Sequence, residues 1–165
     1  MTTSYKDFKS SDLTFSEWAD SEKMKIKGQQ KMCFPRYGQE ESNLFLQLPW
    51  MKISRYGVPS LGEYYSTDKD RAFLKMPLDT SDPEVKLFYD KFAEFDANMN
   101  SAEVKTKLFG KKAKKYKYIP VVKIPDEVDD EHPPWMKLKI HLDWQDDSVL
   151  TEVWHSEPST EEGKK

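Results

Sequence analysis

Long apolar runs are absent from this 165-residue chain, and cysteine is almost absent. No stretch of about 18 apolar residues occurs, so the sequence predicts no membrane-spanning helix. The N-terminal residues form no apolar signal segment, and the single Cys33 excludes an internal disulfide. We therefore expect an intracellular protein in a reducing compartment, the cytoplasm or the nucleus.

Catalytic and metal-binding motifs are absent too. The sequence has no glycine-rich phosphate loop, no nucleophile elbow and no paired-cysteine spacing, and its three histidines stand apart. Five carboxylates crowd residues 126–131, but they lack the ordered spacing of an EF-hand loop. These absences predict a protein that is not an enzyme and that holds no metal or cofactor.

The residues that are present fit one folded domain. Hydrophobic residues make up 37 % of the chain and aromatic residues 13 %, which is enough for a core. We expect a polar N-terminal arm over residues 1–28, a domain over residues 29–156 and a polar tail over residues 157–165. Phe15 and Trp18 have the spacing of one short helical face, through which the arm would dock.

Alternating apolar and polar residues predict strands on both sides of a helical segment. The predicted strands are residues 43–48, 51–56, 71–76, 115–124, 135–144 and 148–154. Residues 135–144 alternate most cleanly, with one apolar face for the core and Lys137, Lys139 and His141 on the other face. Trp50 and Tyr56 are candidates for stacking on bases, with a place in the core as the first expectation for Trp50.

Between the third and fourth strands the apolar period becomes helical. Asp82 and Pro83 form a typical helix start, and a second helix is predicted from Ser101 to Gly110. One face of the first helix carries the core residues Val85, Phe88, Phe92, Phe95 and Met99. The order of elements predicts a mainly β protein with a helical insert (α+β), most economically an OB-fold-like Greek-key barrel; a strand-rich sandwich is the alternative.

The most informative stretch is the lysine-rich segment, residues 105–123, which holds eight lysines and no acidic residue. The whole chain has a net charge of −3, so the residues outside this segment carry −11. Aromatic rings lie between the lysines, which suits a partner with phosphates and bases. Tyr116 and Tyr118 share one face of the predicted strand, so both would stack on bases or both would be core.

Four stretches carry a resemblance to a known class of proteins. "LQLPWMKISRYGVPS", "DKDRAFLKMPLD", "KKYKYIPVVKIP" and "PPWMKLKIHLD" resemble single-stranded DNA-binding proteins of large nucleocytoplasmic DNA viruses. More distantly they are similar to the T7-type phage single-stranded DNA-binding proteins, which are OB-folds. The similarity covers about residues 30–154, through loose patterns of lysine, aromatic residues and proline.

The resemblance implies sequence-nonspecific binding of single-stranded DNA in viral DNA replication and recombination, at viral replication sites and with replication proteins as further partners. It implies that lysines contact phosphates and that rings stack on bases. The residues in the matching stretches are Lys52, Arg55, Lys111, Lys112, Lys114, Lys115, Tyr116, Lys117, Tyr118, Lys137 and Lys139.

Other functions stay open on the sequence alone. RNA binding by the same surface is one, because the contacts that read the 2′-hydroxyl leave no sequence pattern. A protein-interaction or virion-structural module with a basic docking surface is another. Lysine runs are also often plain solvated loops, and aromatic residues at strand spacing are often core.

Overall fold

The computed structural model describes residues 2–18, 33–53, 57–129, 131–143 and 145–151. The chain forms two compact units, one of residues 1–50 and 80–120 and the other of residues 51–79 and 121–165. The expected boundaries after residues 28 and 156 lie outside the described residues, so those domain limits stay a prediction. Within the described ranges, no helix combines the length and the apolar character that crossing a membrane requires.

Two small sheets belong to the first unit. β1 (Thr2–Ser4) pairs in parallel with β4 (Phe45–Gln47), and β2 (Leu13–Phe15) pairs antiparallel with β3 (Pro35–Tyr37). β4 confirms the strand predicted over residues 43–48 in shortened form. The helical turn predicted around Phe15 is wrong, because Phe15 lies in β2; three-residue strands are too short for alternation to reveal them.

The long helix α1 (Pro83–Met99) begins where the sequence predicts it. The Asp82 carboxylate caps it by accepting hydrogen bonds from the backbone N–H groups of Glu84 at 2.8 Å and Val85 at 3.3 Å. Of the predicted core face, Val85 and Phe88 are buried and the remaining members are half-buried. The amphipathic period therefore identified the buried side of the helix correctly.

An aromatic cluster between α1 and the N-terminal segment forms the core of the first unit. The Phe8 ring lies 5.6 Å from the rings of both Phe92 and Tyr37, and Tyr5 meets Phe88 edge-on at 6.1 Å. Tyr5 and Phe8 are only 5 % and 2 % exposed. The described part of the predicted polar arm thus supplies buried side chains, which its Ser-, Asp- and Lys-rich composition concealed.

A second helix, α2 (Ala102–Phe109), follows α1 and also confirms its prediction. The Ser101 hydroxyl accepts a hydrogen bond from the Val104 N–H at 3.2 Å. Gly110 ends the helix with φ of +55°, a conformation that glycine adopts easily. A 3₁₀ helix, Gly110–Lys115, continues directly from it.

The second unit is built around a three-stranded antiparallel sheet. Its strands are β5 (Phe73–Pro77), β6 (Val122–Lys123) and β7 (Trp135–Lys139), with β7 in the centre. Met76 and Met136 are paired and buried on one face, whereas Lys137 and Lys139 are exposed on the other. The alternation predicted for residues 135–139 is therefore confirmed.

Several predicted strands are shorter than expected or are replaced. The strand expected over residues 115–124 is reduced to β6: Lys115 belongs to the 3₁₀ helix, and residues 116–121, among them Pro120 with no N–H for a strand ladder, lie outside any strand. β7 ends at Lys139 instead of Trp144, because its partner β5 begins opposite it, at Phe73. Residues 51–53 lie outside any strand, and residues 148–151 pair only through a bridge between Leu142 and Val149. Residues 54–56, 144 and 152–154 lie outside the described residues.

The structure is mixed α and β, with the helices between β5 and β6. The expected mainly β character is not borne out among the described residues, because α1 and α2 together span about as many residues as all the strands. The described strands form three separate small sheets, and within the described ranges these do not close into a barrel. The helices were expected after the third strand, but three of the preceding short strands, β1, β2 and β3, carry no sequence signal. Their pairing partners are distant in the chain, so local pattern cannot indicate them.

Candidate nucleic-acid interface

The lysine block, residues 111–118, starts in the 3₁₀ helix of the first unit. A 3₁₀ helix has three residues per turn, so every third residue lies on the same side. Within the helix, Gly110 and Ala113 share one row and the lysines occupy the other two rows; Tyr116 follows as the C-cap residue with an extended backbone. The side chains of Lys111, Lys112, Lys114, Lys115 and Lys117 are all exposed. The Tyr116 ring therefore follows directly on the lysines of the helix in the chain.

These five lysines form no ion pair with any carboxylate of the described residues. Elsewhere in the chain the structure does pair lysines with acids: Lys86 binds Asp90 at 2.7 Å and Lys6 binds Glu84 at 2.5 Å. Five like charges within seven residues repel one another and attract counterions. The lysine block is therefore a concentrated cationic surface without an internal anion among the described residues.

A ring cluster of Trp18, Phe109 and Tyr116 adjoins the lysine block. The Tyr116 ring stacks on Phe109 with centroids 4.1 Å apart and planes 15° apart, and Trp18 lies 5.6 Å from Phe109. The Trp18 indole N–H donates to the Leu108 carbonyl oxygen at 3.1 Å. Trp18 nevertheless remains 39 % exposed. Sequence analysis missed Trp18 and Phe109 as candidate site residues, since Trp18 is about 90 positions away from the ring that it contacts.

Tyr118 has a different environment from Tyr116. Its hydroxyl donates a hydrogen bond of 2.6 Å to Oδ1 of Asp96, a buried side chain of α1. Burial and the adjacent carboxylate raise the pKa of Tyr118 well above its usual value. Both tyrosines are half-buried, but they have different partners, and the strand expected to give them a common face is absent because residues 116–118 do not form one.

The other predicted contact residues lie in the second unit. Lys52 is exposed, and Lys137 and Lys139 are exposed on the outer face of the sheet. Arg55 lies outside the described residues. The structure thus brings the residues of the lysine block together in one unit and assigns the sheet lysines to the other.

Trp50 corrects another expectation. It is 90 % exposed, although the sequence predicted a core residue. Phe45, in the same unit, is 60 % exposed. Large exposed apolar side chains of this kind occur at surfaces that contact a partner.

In the acidic stretch, residues 126–131, the Asp129 carboxylate accepts local hydrogen bonds. Asp129 accepts from the backbone N–H groups of Glu131 at 2.8 Å and His132 at 2.6 Å. These bonds, together with His132, lower the pKa of Asp129. The carboxylate thus organises a turn in the second unit.

The chain is similar to one curated relative, a protein of Acanthamoeba polyphaga mimivirus that is described as uncharacterized. The two are 34 % identical over 94 residues, which is 54 % of this chain and 23 % of the viral protein. The chain therefore spans less than a quarter of the length of the relative that it matches. No protein-family model matches the sequence, and no solved structure matches it.

Proposed function

We propose that the protein binds single-stranded DNA without sequence preference, in viral DNA replication or recombination. The observation that carries the proposal is the lysine block: five exposed lysines without a carboxylate partner among the described residues, next to a ring cluster with an exposed tryptophan. Phosphates supply the missing negative charge, and bases supply flat partners for the rings. Neither contact reads the identity of a base.

The energetics of these two contacts differ in a way that experiments can separate. Each lysine–phosphate contact releases counterions and adds about 0.7 to the slope of log affinity against log salt for a single strand. Each stacked base adds about 1–3 kcal/mol that depends little on salt. Lysines and rings therefore have distinct signatures in a salt titration.

The similarity to a mimivirus protein supports the viral part of the proposal. The OB-fold-like barrel implied by the resemblance stays a prediction. The proposed binding does not depend on it, because the lysine block and the ring cluster lie within α2, the 3₁₀ helix and the segments that contact them.

The direct test is fluorescence anisotropy of a labelled poly-dT oligonucleotide at several salt concentrations, with duplex DNA and RNA of equal length as competitors. We expect salt-sensitive binding that single-stranded DNA competes for best. In the variant K111Q/K112Q/K114Q we expect the salt slope to fall by about 2. Stronger competition by RNA would assign the surface to RNA.

A matched control is the variant K6Q/K69Q/K86Q. It removes the same number of positive charges, but from lysines already paired with Glu84, Asp147 and Asp90. We expect its salt slope to equal that of the unmodified protein. Equal losses in both triple variants would mean that net charge, and not the lysine block, governs binding.

Protein docking is the second candidate function, because the same exposed lysines, which have no carboxylate partner among the described residues, would also attract an acidic protein surface. Absence of oligonucleotide binding by the intact protein, even at low salt, would contradict the first proposal and leave this one.

A further inference from the structure

The outer face of the three-stranded sheet in the second unit gathers more lysines than the sequence indicates. Directly paired residues of neighbouring strands share a face. The register pairs Lys75 with Lys137, Phe73 with Lys139, and Trp135 with both Pro77 and Lys123. We call this surface the lysine face; its lysines are Lys75, Lys123, Lys137 and Lys139.

Two aromatic rings hold lysine ammonium groups on this face. The Lys137 Nζ lies 3.7 Å from the centroid of the Phe73 ring, and the Lys75 Nζ lies 4.2 Å from that of Trp135. Such contacts position the charges over the sheet without neutralising them. Lys137 and Lys139 are exposed and form no ion pair with a carboxylate of the described chain.

A loop that carries an exposed tyrosine is anchored to β5 and to Phe73 of the lysine face. Gly57 bridges to Lys75 of β5 through two backbone hydrogen bonds of 2.9 and 2.8 Å, which attach the following loop to the sheet edge. In that loop the Tyr65 ring packs edge-on against Phe73 at 5.4 Å, and the Gly62 N–H donates to the Tyr65 carbonyl at 3.0 Å. The neighbouring Tyr64 is 87 % exposed.

We propose that the lysine face is a second binding site for single-stranded DNA, in which Lys137 and Lys139 contact phosphates and Tyr64 stacks on a base. The combination carries the inference: lysines held over a sheet face with an exposed ring at its edge match a backbone of phosphates with unpaired bases. Duplex DNA offers phosphates but no free base face, so Tyr64 favours the single strand. The inference rests on the proposed function and extends it to the second unit.

The test uses the full chain with two sets of changes on the lysine face. We expect K137Q/K139Q to lower the salt slope for poly-dT binding by about 1.4. The decrease should be the same whether the two changes are made in the natural sequence or in K111Q/K112Q/K114Q. In Y64A we expect affinity to fall about five-fold or more with an unchanged slope. The control K6Q/K86Q, which removes two paired lysines, should bind like the unmodified protein.

The outcomes separate this inference from the proposed function. If K137Q/K139Q and Y64A bind like the unmodified protein while K111Q/K112Q/K114Q loses affinity, the lysine face is not a site and the proposed function stands. If the intact protein does not bind poly-dT, both are wrong. Thermal unfolding checks that K137Q/K139Q folds. If that variant does not fold, the binding of Y64A alone decides between the outcomes, because Tyr64 is too exposed to support the fold.

Discussion

At the scale of single residues, Tyr116 and Tyr118 show how far spacing can inform function. Both stand in the lysine block, and the sequence could identify the block by its charge alone. It could not distinguish the two rings, because their roles depend on Phe109 and Asp96, which contact them only in the folded unit. Tyr116 contributes a ring to the surface, whereas Tyr118 ties the block to α1.

The hydrogen bond from Tyr118 to Asp96 predicts a loss of stability at high pH. The folded-state pKa of Tyr118 is raised above the usual value of about 10, so the stabilisation is complete below pH 10 and is lost as pH rises above it. Urea unfolding of Y118F should show a free energy of unfolding lower by about 1.5 kcal/mol at neutral pH. Between pH 10 and 11 the difference should shrink; a constant difference would contradict this role.

Trp18 predicts a specific effect on binding. Because it is the exposed member of the ring cluster, W18A should weaken poly-dT binding about five-fold or more at every salt concentration. W18F keeps a ring at the position and should lose less. The matched control is W50A, since Trp50 is more exposed but lies outside the cluster. Equal weakening by W50A and W18A would show that the ring cluster has no special role.

At the scale of elements, the helices and the positions of β4, β5, β6 and β7 could be predicted, whereas β1, β2 and β3 and the pairing of the short strands could not. Local sequence signals predict α1 and α2: the N-caps Asp82 and Ser101, and Gly110 at the end of α2. β1 and β4 are three residues long and pair across more than 40 positions. The strand predicted over residues 115–124 came out too long because lysines alternating with tyrosines over residues 115–118 imitate a period of two, whereas only Val122–Lys123 forms a strand.

The Asp82 cap gives a quantitative test of α1. D82A removes the side-chain acceptor for two backbone N–H groups and should lower the free energy of unfolding by about 1 kcal/mol. D90A removes a carboxylate from the exposed surface of the same helix, where it pairs with Lys86, and should cost about 0.3–0.5 kcal/mol. Urea unfolding of both variants measures the difference. A larger loss in D90A would mean that charge, and not capping, dominates.

At the scale of the whole molecule, charge is divided between a basic segment and an acidic remainder. A net charge of −3 conceals eight lysines that stand together in residues 105–123, so bulk charge does not indicate the partner. The register of the sheet adds Lys75 and Lys123 to the two lysines predicted on β7. The pairing of β5 and β6 with β7 brings these four lysines onto one face, and that pairing cannot be read from the sequence alone.

The proposed binding would be linked to folding, which gives a test on the intact chain. A ligand that binds only the folded state raises the free energy of unfolding by about 2.7 kcal/mol when its concentration is 100 times the dissociation constant. Poly-dT at low salt should therefore raise the unfolding midpoint measured by circular dichroism. The rise should be smaller in K111Q/K112Q/K114Q at the same oligonucleotide concentration and undiminished in K6Q/K69Q/K86Q. Because counterion release drives the binding, the rise should also disappear at high salt. A rise that persists at high salt would instead assign the affinity to stacking on Trp18, Tyr116 or Tyr64.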